Sequence, residues 1–239
     1  MGLFDKKYCD ICKEKIGLFG NRKLEDGNMC KDCAALLSPF FTERRKTTLA
    51  DIKEHLAYRE ANKEKVEALN VTRTLGDKTK VLLDENSCKF VVTSSSRWQN
   101  ENPDVMDFSN VTGCQTQIKE TKNEIKTQDK EGKSISYNPP RYNIYYDFYI
   151  KLYINSEWFT EIDFQLNKDR VEKSNYAKYR EYEQQSNEIK QIFTEVREEV
   201  RANAVAANTP KTAQKCPFCG ASTIPDENGC CEFCGGAMK

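Results

Sequence analysis

Eleven cysteines occur in this 239-residue sequence, and eight of them fall into four C-x-x-C pairs. The pairs are Cys9/Cys12 and Cys30/Cys33 near one end, and Cys216/Cys219 and Cys231/Cys234 near the other. Two thiolates two residues apart can converge on one metal ion at about 2.3 Å, and two such pairs complete a tetrahedral shell with no position left for water. Each cluster is therefore expected to hold one zinc ion in a structural, non-catalytic site. Iron in a four-sulfur site is the alternative metal for the first cluster, and a redox dithiol is the alternative chemistry for either. Cys230 lies beside Cys231 and could shift the third ligand of the second cluster; Cys231 restores the pattern C-x-x-C-G.

The other ingredients of catalysis are scarce. His55 is the only histidine, so Ser-His-Asp and Cys-His arrangements lack material. Lying in a run of Lys, Glu and Arg, it is expected to be a solvated surface residue. No phosphate-cradling glycine loop is present. Cys88 and Cys114 lie in strand-like segments and are expected to be buried thiols. Tyr145, Tyr149 and Tyr153 are expected opposite a core face. Lys119, Lys122, Lys126, Lys130 and Lys133 alternate with Glu120, Glu124, Asp129 and Glu131, which points to a solvated, salt-bridged segment.

The elements that position the cysteines follow from pattern. Cys216-Pro-Phe-Cys219-Gly220 and Cys231-Glu-Phe-Cys234-Gly235 are two knuckles whose glycines accommodate unusual dihedrals. They resemble the short zinc ribbons at the ends of many bacterial proteins, over these twenty-odd residues only. At the other end, a knuckle at Cys9-Asp-Ile-Cys12, a polar turn at Glu25–Asn28 and a helix opening near Cys33 have the logic of a treble-clef finger. Thiolates in a first helical turn gain from the positive end of the helix dipole. The run Cys9-Asp-Ile-Cys12, Ile16-Gly-Leu-Phe-Gly20-Asn-Arg-Lys-Leu24 and Cys30-Lys-Asp-Cys33 resembles a bacterial zinc-finger family of unknown function. The resemblance covers roughly residues 8–40. It implies a zinc-binding N-terminus, often followed by a β-rich domain, and it implies no activity.

Between the clusters, Thr48-Leu-Ala-Asp51 fits a capping box for a charged surface or linking helix from about Thr48 to Leu69. Lys80–Leu83 and Cys88–Thr93 flank a turn and read as a hairpin. Ile144 to Ile154 and Trp158 to Leu166 alternate as a strand pair. Gln128 to Tyr142, with Pro139-Pro140, reads as a long exposed loop. A helix from about Lys173 to Asn203 carries a stripe of Ile189, Ile192, Phe193, Val196 and Val200.

The expected fold is α+β. A treble-clef-like finger spans 1–41, a charged linking helix 42–70 and an antiparallel β domain with a long closing helix 71–203. A linker at 204–215 and a zinc ribbon at 216–239 complete the chain. The middle resembles pleckstrin-homology-like domains in outline only. Both metal modules are expected to fold independently of that middle.

Lys plus Arg equals Asp plus Glu at 37 each, so bulk charge offers no drive toward nucleic acid or anionic lipid. No apolar run approaches the roughly 20 residues that span a bilayer, and paired C-x-x-C spacing without an export signal points to a reducing cytoplasm. The expected function is that of a non-enzymatic scaffold or interaction protein holding two zinc ions, with a protein as partner. Nucleic acid is the alternative, through Arg22, Lys23, Arg44 and Arg45 of the finger. A lipid-binding pleckstrin-like module is the third reading.

Overall fold

A computed structural model of the chain describes residues 7–208, 213–226 and 229–238. The described residues up to Arg197 form one compact unit, and a second begins at Glu198. In the first, a short hairpin of β1 (Arg22–Lys23) and β2 (Asn28–Met29) precedes helix α1 (Lys31–Ala35). Helix α2 (Leu49–Ala68) starts on the expected box: the Thr48 hydroxyl accepts from the Asp51 N–H, and Asp51 accepts from the Thr48 N–H. The polar first turn thus satisfies two orphan donors.

A four-stranded antiparallel sheet follows, in the order β3 (Arg73–Leu75), β4 (Lys80–Asp84), β5 (Lys89–Thr93) and β6 (Met106–Asp107), with the short helix α3 (Trp98–Glu101) before β6. The expected hairpin is β4–β5, with Leu82 opposite Val91. Both faces of this sheet are covered, which explains why its strands read as continuous apolar runs. Val81, Leu83, Phe90 and Val92 face the main core, while Leu82 and Val91 pack with Val66 and Leu69 at the end of α2.

The second antiparallel sheet is built on β7 (Val111–Gln128) and β8 (Ser134–Ile154). Strands β9 (Glu161–Gln165) and β10 (Val171–Glu172) share the far edge of β8. Phe148, Ile150, Leu152, Ile162 and Phe164 point into the core, as their alternation requires. Helix α4 (Tyr176–Asn208) closes the two sheets with Tyr182, Ile189 and Phe193. Phe193 lies 4.7 Å from the Phe90 ring and edge-on to Phe108 at 5.7 Å. Val196 and Val200 of the expected stripe lie outside the described side chains. The turn at Gly76 is pinned beneath α4: its N–H donates to Gln185, and the Tyr182 hydroxyl donates to Asp77 at 2.6 Å. Gly76 has φ 89°, and a Cβ there would meet the Thr79 carbonyl at 2.3 Å. Only glycine fits.

Several expectations are corrected. The stretch 128–142 is not one long loop. β8 begins at Ser134, and Pro139-Pro140 sit where the register jumps from Ile125↔Arg141 to Lys126↔Ser136, the kind of irregularity that tolerates proline in a sheet. Cys88 is exposed in a turn at φ 53°, and Cys114 is only partly buried on β7. α4 continues past Asn203 to Asn208, and residues 209–212 of the expected linker lie outside the described residues. α2 is not merely a linker, and the finger is not separate from the β domain. Ile52 of α2 is buried among Cys9, Leu24, Met29 and Leu37. Further along, Arg59 pairs with Asp104 at 2.7 Å, both side chains buried, and donates to the Leu36 carbonyl. Asn62 bonds Asn102 and the Pro103 carbonyl.

His55 is the sharpest correction. It is fully buried, stacked on Trp158 at 4.4 Å with the Phe41 ring edge-on at 4.7 Å. Its Nε2 accepts from the Ser38 N–H. Burial, with Arg59 nearby, lowers its pKa to about 4. The unfolded chain, titrating near 6.5, therefore takes up this proton first, so the neutral imidazole's full stabilisation is present above pH 6.5. That stabilisation should decline as pH falls toward 4, by up to about 3 kcal/mol. Urea denaturation of wild type and His55→Gln across this range checks it. The difference in stability between the two should narrow on acidification, whereas a constant difference would contradict a buried neutral His55.

Candidate metal centres

In the first cluster the sulfurs of Cys9, Cys12, Cys30 and Cys33 all lie within 4.8 Å of one another. The Cys9–Cys12 knuckle is closed by the Lys13 N–H donating to the Cys9 carbonyl and by the Cys9 N–H donating to Glu14, both at 2.9 Å. A bridge between Tyr8 and Lys15 holds its base. Asp10 fastens the knuckle to β2 by accepting from the Asn28 N–H at 2.7 Å. The second pair opens α1: Cys30 is the N-cap, and its sulfur accepts from the Cys33 N–H at 3.3 Å. The Cys30 N–H in turn donates to the Cys9 sulfur at 3.3 Å.

The second cluster repeats one turn twice. Gly220 N–H donates to the Cys216 carbonyl and Gly235 N–H to the Cys231 carbonyl; Cys216 N–H reaches Ala221 and Cys231 N–H reaches Gly236. Both glycines have positive φ, 76° and 68°, and open space where a Cβ would sit, so dihedral freedom and not crowding selects them. The first knuckle makes the same bond with Lys13 at φ 65°, a conformation costing a non-glycine residue about 1–2 kcal/mol. Strands β11 (Gln214–Lys215) and β12 (Ser222–Thr223) pair above the site. The four sulfurs within 4.8 Å are those of Cys216, Cys219, Cys231 and Cys234. Cys230 instead forms a bridge with Ala237, its N–H bonded to Asp226.

Both donor sets are positioned to hold a metal ion. A tetrahedron with bonds of about 2.3 Å has sulfur–sulfur edges of about 3.8 Å. Cys12 and Cys30 are 3.8 Å apart, and the pairs Cys216–Cys234 and Cys219–Cys231 are each 3.6 Å apart. The thiols cannot all ionise unaided. Burial opposes ionisation of Cys9, yet N–H bonds from Cys12, Cys30 and Ile11 outweigh it and lower its pKa to about 6. Burial and hydrogen bonds with the other three thiols push Cys33 strongly up. N–H bonds from Cys219 and Phe218 bring Cys216 down to about 6 against desolvation. Although the Gly236 N–H favours its thiolate, bonds with Cys219 and Cys216 push Cys234 up to about 12. A divalent cation removes this conflict by stabilising four thiolates at once. Among the described residues around the second cluster the buried apolar group is Cys216, Cys231 and Met238, a small core of the kind that metals or disulfides commonly support.

A second feature escapes sequence reasoning. A cleft of about 970 Å³ opens between the start of α2 and the segment leading into β9. Phe40, Phe41, Trp158 and Phe159 contribute its apolar surface, and its rim carries Glu43, Asp51, Glu54, Glu157, Glu161 and Asp163. No Lys or Arg lines it. Glu43 and Glu161 are paired with Lys46 and Lys151, while Glu54, Glu157 and Asp163 have no ion pair among the described residues. These acids come from segments a hundred residues apart, so no local motif announces them. The basic residues of the finger also gather. Arg44 donates to the Lys23 carbonyl at 2.8 Å, and its pKa is lowered by burial and by the neighbouring Arg22 and Arg45.

Cysteine exchange distinguishes the ligand sets. Metal per chain, measured by elemental analysis, should fall from two equivalents to one in Cys231→Ser and remain at two in Cys230→Ser. Loss of metal from Cys230→Ser would contradict the sulfur geometry.

Residues 7–55 match a domain family described as a domain of unknown function, DUF4428. No curated protein and no solved structure matches the chain. The matched span contains the whole first cluster and the first turns of α2, so the family similarity and the shared core of finger and helix cover the same residues.

Proposed function

We propose that this chain is a non-enzymatic interaction protein in which two structural zinc modules carry a β domain. On this reading the first cluster is a treble-clef-like finger, the second a zinc ribbon, and Cys9, Cys12, Cys30, Cys33, Cys216, Cys219, Cys231 and Cys234 are the zinc ligands. Two packed antiparallel sheets closed by a C-terminal helix support a pleckstrin-homology-like reading of the middle. All-sulfur shells support a structural and not a catalytic role for the metal, because a catalytic zinc keeps a position for water.

The observation that carries the interaction role is the cleft. Its unpaired carboxylates repel phosphate and attract Lys or Arg, and its aromatic surface accepts apolar stems and guanidinium planes. The partner is therefore a protein presenting a basic segment. A nucleic-acid reading draws support from one other observation, the gathering of Arg22, Lys23, Arg44 and Arg45 on the finger. Such a contact would be local and strongly salt-dependent.

Fluorescence titration with a fixed-length peptide library of graded charge tests the cleft. Basic peptides should bind, and Glu54→Gln with Glu157→Gln should weaken them about tenfold or more, at roughly 1 kcal/mol per lost charge pair. Equal affinity for acidic and basic peptides would contradict the assignment. RNA or DNA binding at physiological salt that is lost in Arg22→Ala with Lys23→Ala would replace it with the nucleic-acid reading.

A further inference from the structure

From Asn123 and its partner Asn143 outward the β7–β8 pair continues as a two-stranded ribbon whose residues are mostly exposed, while nearer the core β10 still covers the far edge of β8 at Tyr145 and Tyr146. The two edges of that ribbon are treated differently. The β8 edge carries Pro139, Pro140 and the register break, devices that blunt an edge against further pairing. β7 ends the sheet order, runs for 18 residues and contains no proline.

The direction of the β7 backbone can be read from its neighbours. The Phe148 carbonyl accepts from the Leu166 N–H, and the Phe148 N–H donates to Asn167, so Phe148 bonds away from β7. The Ile144 carbonyl likewise turns away, to the Lys173 N–H. Ile118 and Lys122, opposite them, therefore turn their N–H and C=O outward. By the alternation of an antiparallel ladder, so do Glu120, Glu124 and Lys126.

Side chains of these residues share one face in the order Glu120, Lys122, Glu124, Lys126. Their β8 partners are Tyr146, Ile144, Tyr142 and Ser136, none of which is charged. Only Lys122 and Glu120 pair within the strand, at 3.1 Å. The charge pattern is antisymmetric about Asn123. We propose that the outer edge of β7 is a homotypic interface, on which a second copy of this chain adds its own β7 antiparallel about a two-fold axis at Asn123.

In that register Glu120 faces Lys126 of the second copy and Lys122 faces Glu124. Each of these pairs also exchanges two N–H···O bonds. Moving the axis to Lys122 or Glu124 sets like charges opposite each other, which destabilises a sheet. Placing the axis between residues sets outward-directed groups against inward-directed ones. Axes at Thr121 or Ile125 keep the backbone alternation but form two opposite-charge pairs where Asn123 forms four, so the charge pattern favours the Asn123 register.

Sedimentation velocity of the full, metal-loaded chain at micromolar concentrations tests this with complementary charge variants. Wild type should sediment as a dimer. Lys122→Glu with Lys126→Glu should be monomeric, as should Glu120→Lys with Glu124→Lys, and an equimolar mixture of the two should recover the dimer. That recovery excludes misfolding as the cause of either loss. Register is read by cross-linking. Residues facing each other on the axis lie about 4.5 Å apart at Cα, within disulfide reach, so Asn123→Cys should give a covalent dimer above the wild-type background. Thr121→Cys, about 14 Å from its copy at about 3.4 Å per residue, should not. A monomeric wild type would overturn the proposal, whether or not its ribbon lysines bind RNA or anionic vesicles. So would a dimer indifferent to both charge variants, or equal cross-linking at both positions.

Discussion

The buried pair of Arg59 and Asp104 ties together three parts of the chain that are distant in sequence. Asp104 lies ahead of β6 and is fully buried; it accepts from Arg59 at 2.7 Å and from the Ser38 hydroxyl at 2.7 Å. Arg59 also donates to the carbonyls of Leu36 and Asn102. One guanidinium on α2 thus reaches the finger, and the carboxylate that balances it belongs to the β domain. A buried ion pair adds little net stability over a well-packed apolar contact, but removing one partner leaves a stranded charge worth about 3–5 kcal/mol. The pair therefore acts on arrangement. It fixes how α2 lies against the sheet, and with it where Phe40, Phe41 and Trp158 stand around the cleft.

The two metal clusters serve different contexts. Around the second, the buried apolar group among the described residues is two of its own cysteines and a methionine, so a bound metal would take much of the place of a core. The first is embedded. Its cysteines share one apolar cluster with Leu24, Met29, Leu37 and Ile52, and Ser38, just beyond α1, touches both His55 and Asp104. Metal in the finger should therefore stabilise more than the finger. It orders α1 and the chain after it, which in turn supplies one wall of the cleft.

Much of this was legible in residue types and spacing, and the gaps have physical causes. The four C-x-x-C pairs name both sulfur clusters because thiolate convergence demands that spacing. Thr48 and Asp51 mark the start of α2 because capping is local chemistry. The inner face of α2 was not legible. Its buried positions include His55, Arg59 and Asn62, which hydrophobic periodicity counts as solvent-facing, and their partners lie 17 to 45 residues away in sequence. The ribbon carries no strand signal for the opposite reason. Its lysines, glycine and prolines resemble a loop, yet a strand with both faces in water needs no apolar alternation, and the register break absorbs Pro139-Pro140. The cleft acids carry no signature at all, since each is an ordinary surface carboxylate until folding brings the segments together.

Hydrogen exchange of the full chain, read by mass spectrometry before and after chelation of its metal, addresses the central claim most directly. If the finger's metal holds one wall of a shared structure, chelation should remove protection from residues 8–37 and also from the first turns of α2 and the Trp158–Phe159 segment. Strands β4 and β5 should keep theirs. Loss confined to residues 8–37 and the second metal unit, with α2 and Trp158 unchanged, would contradict the account and leave the finger an independent appendage.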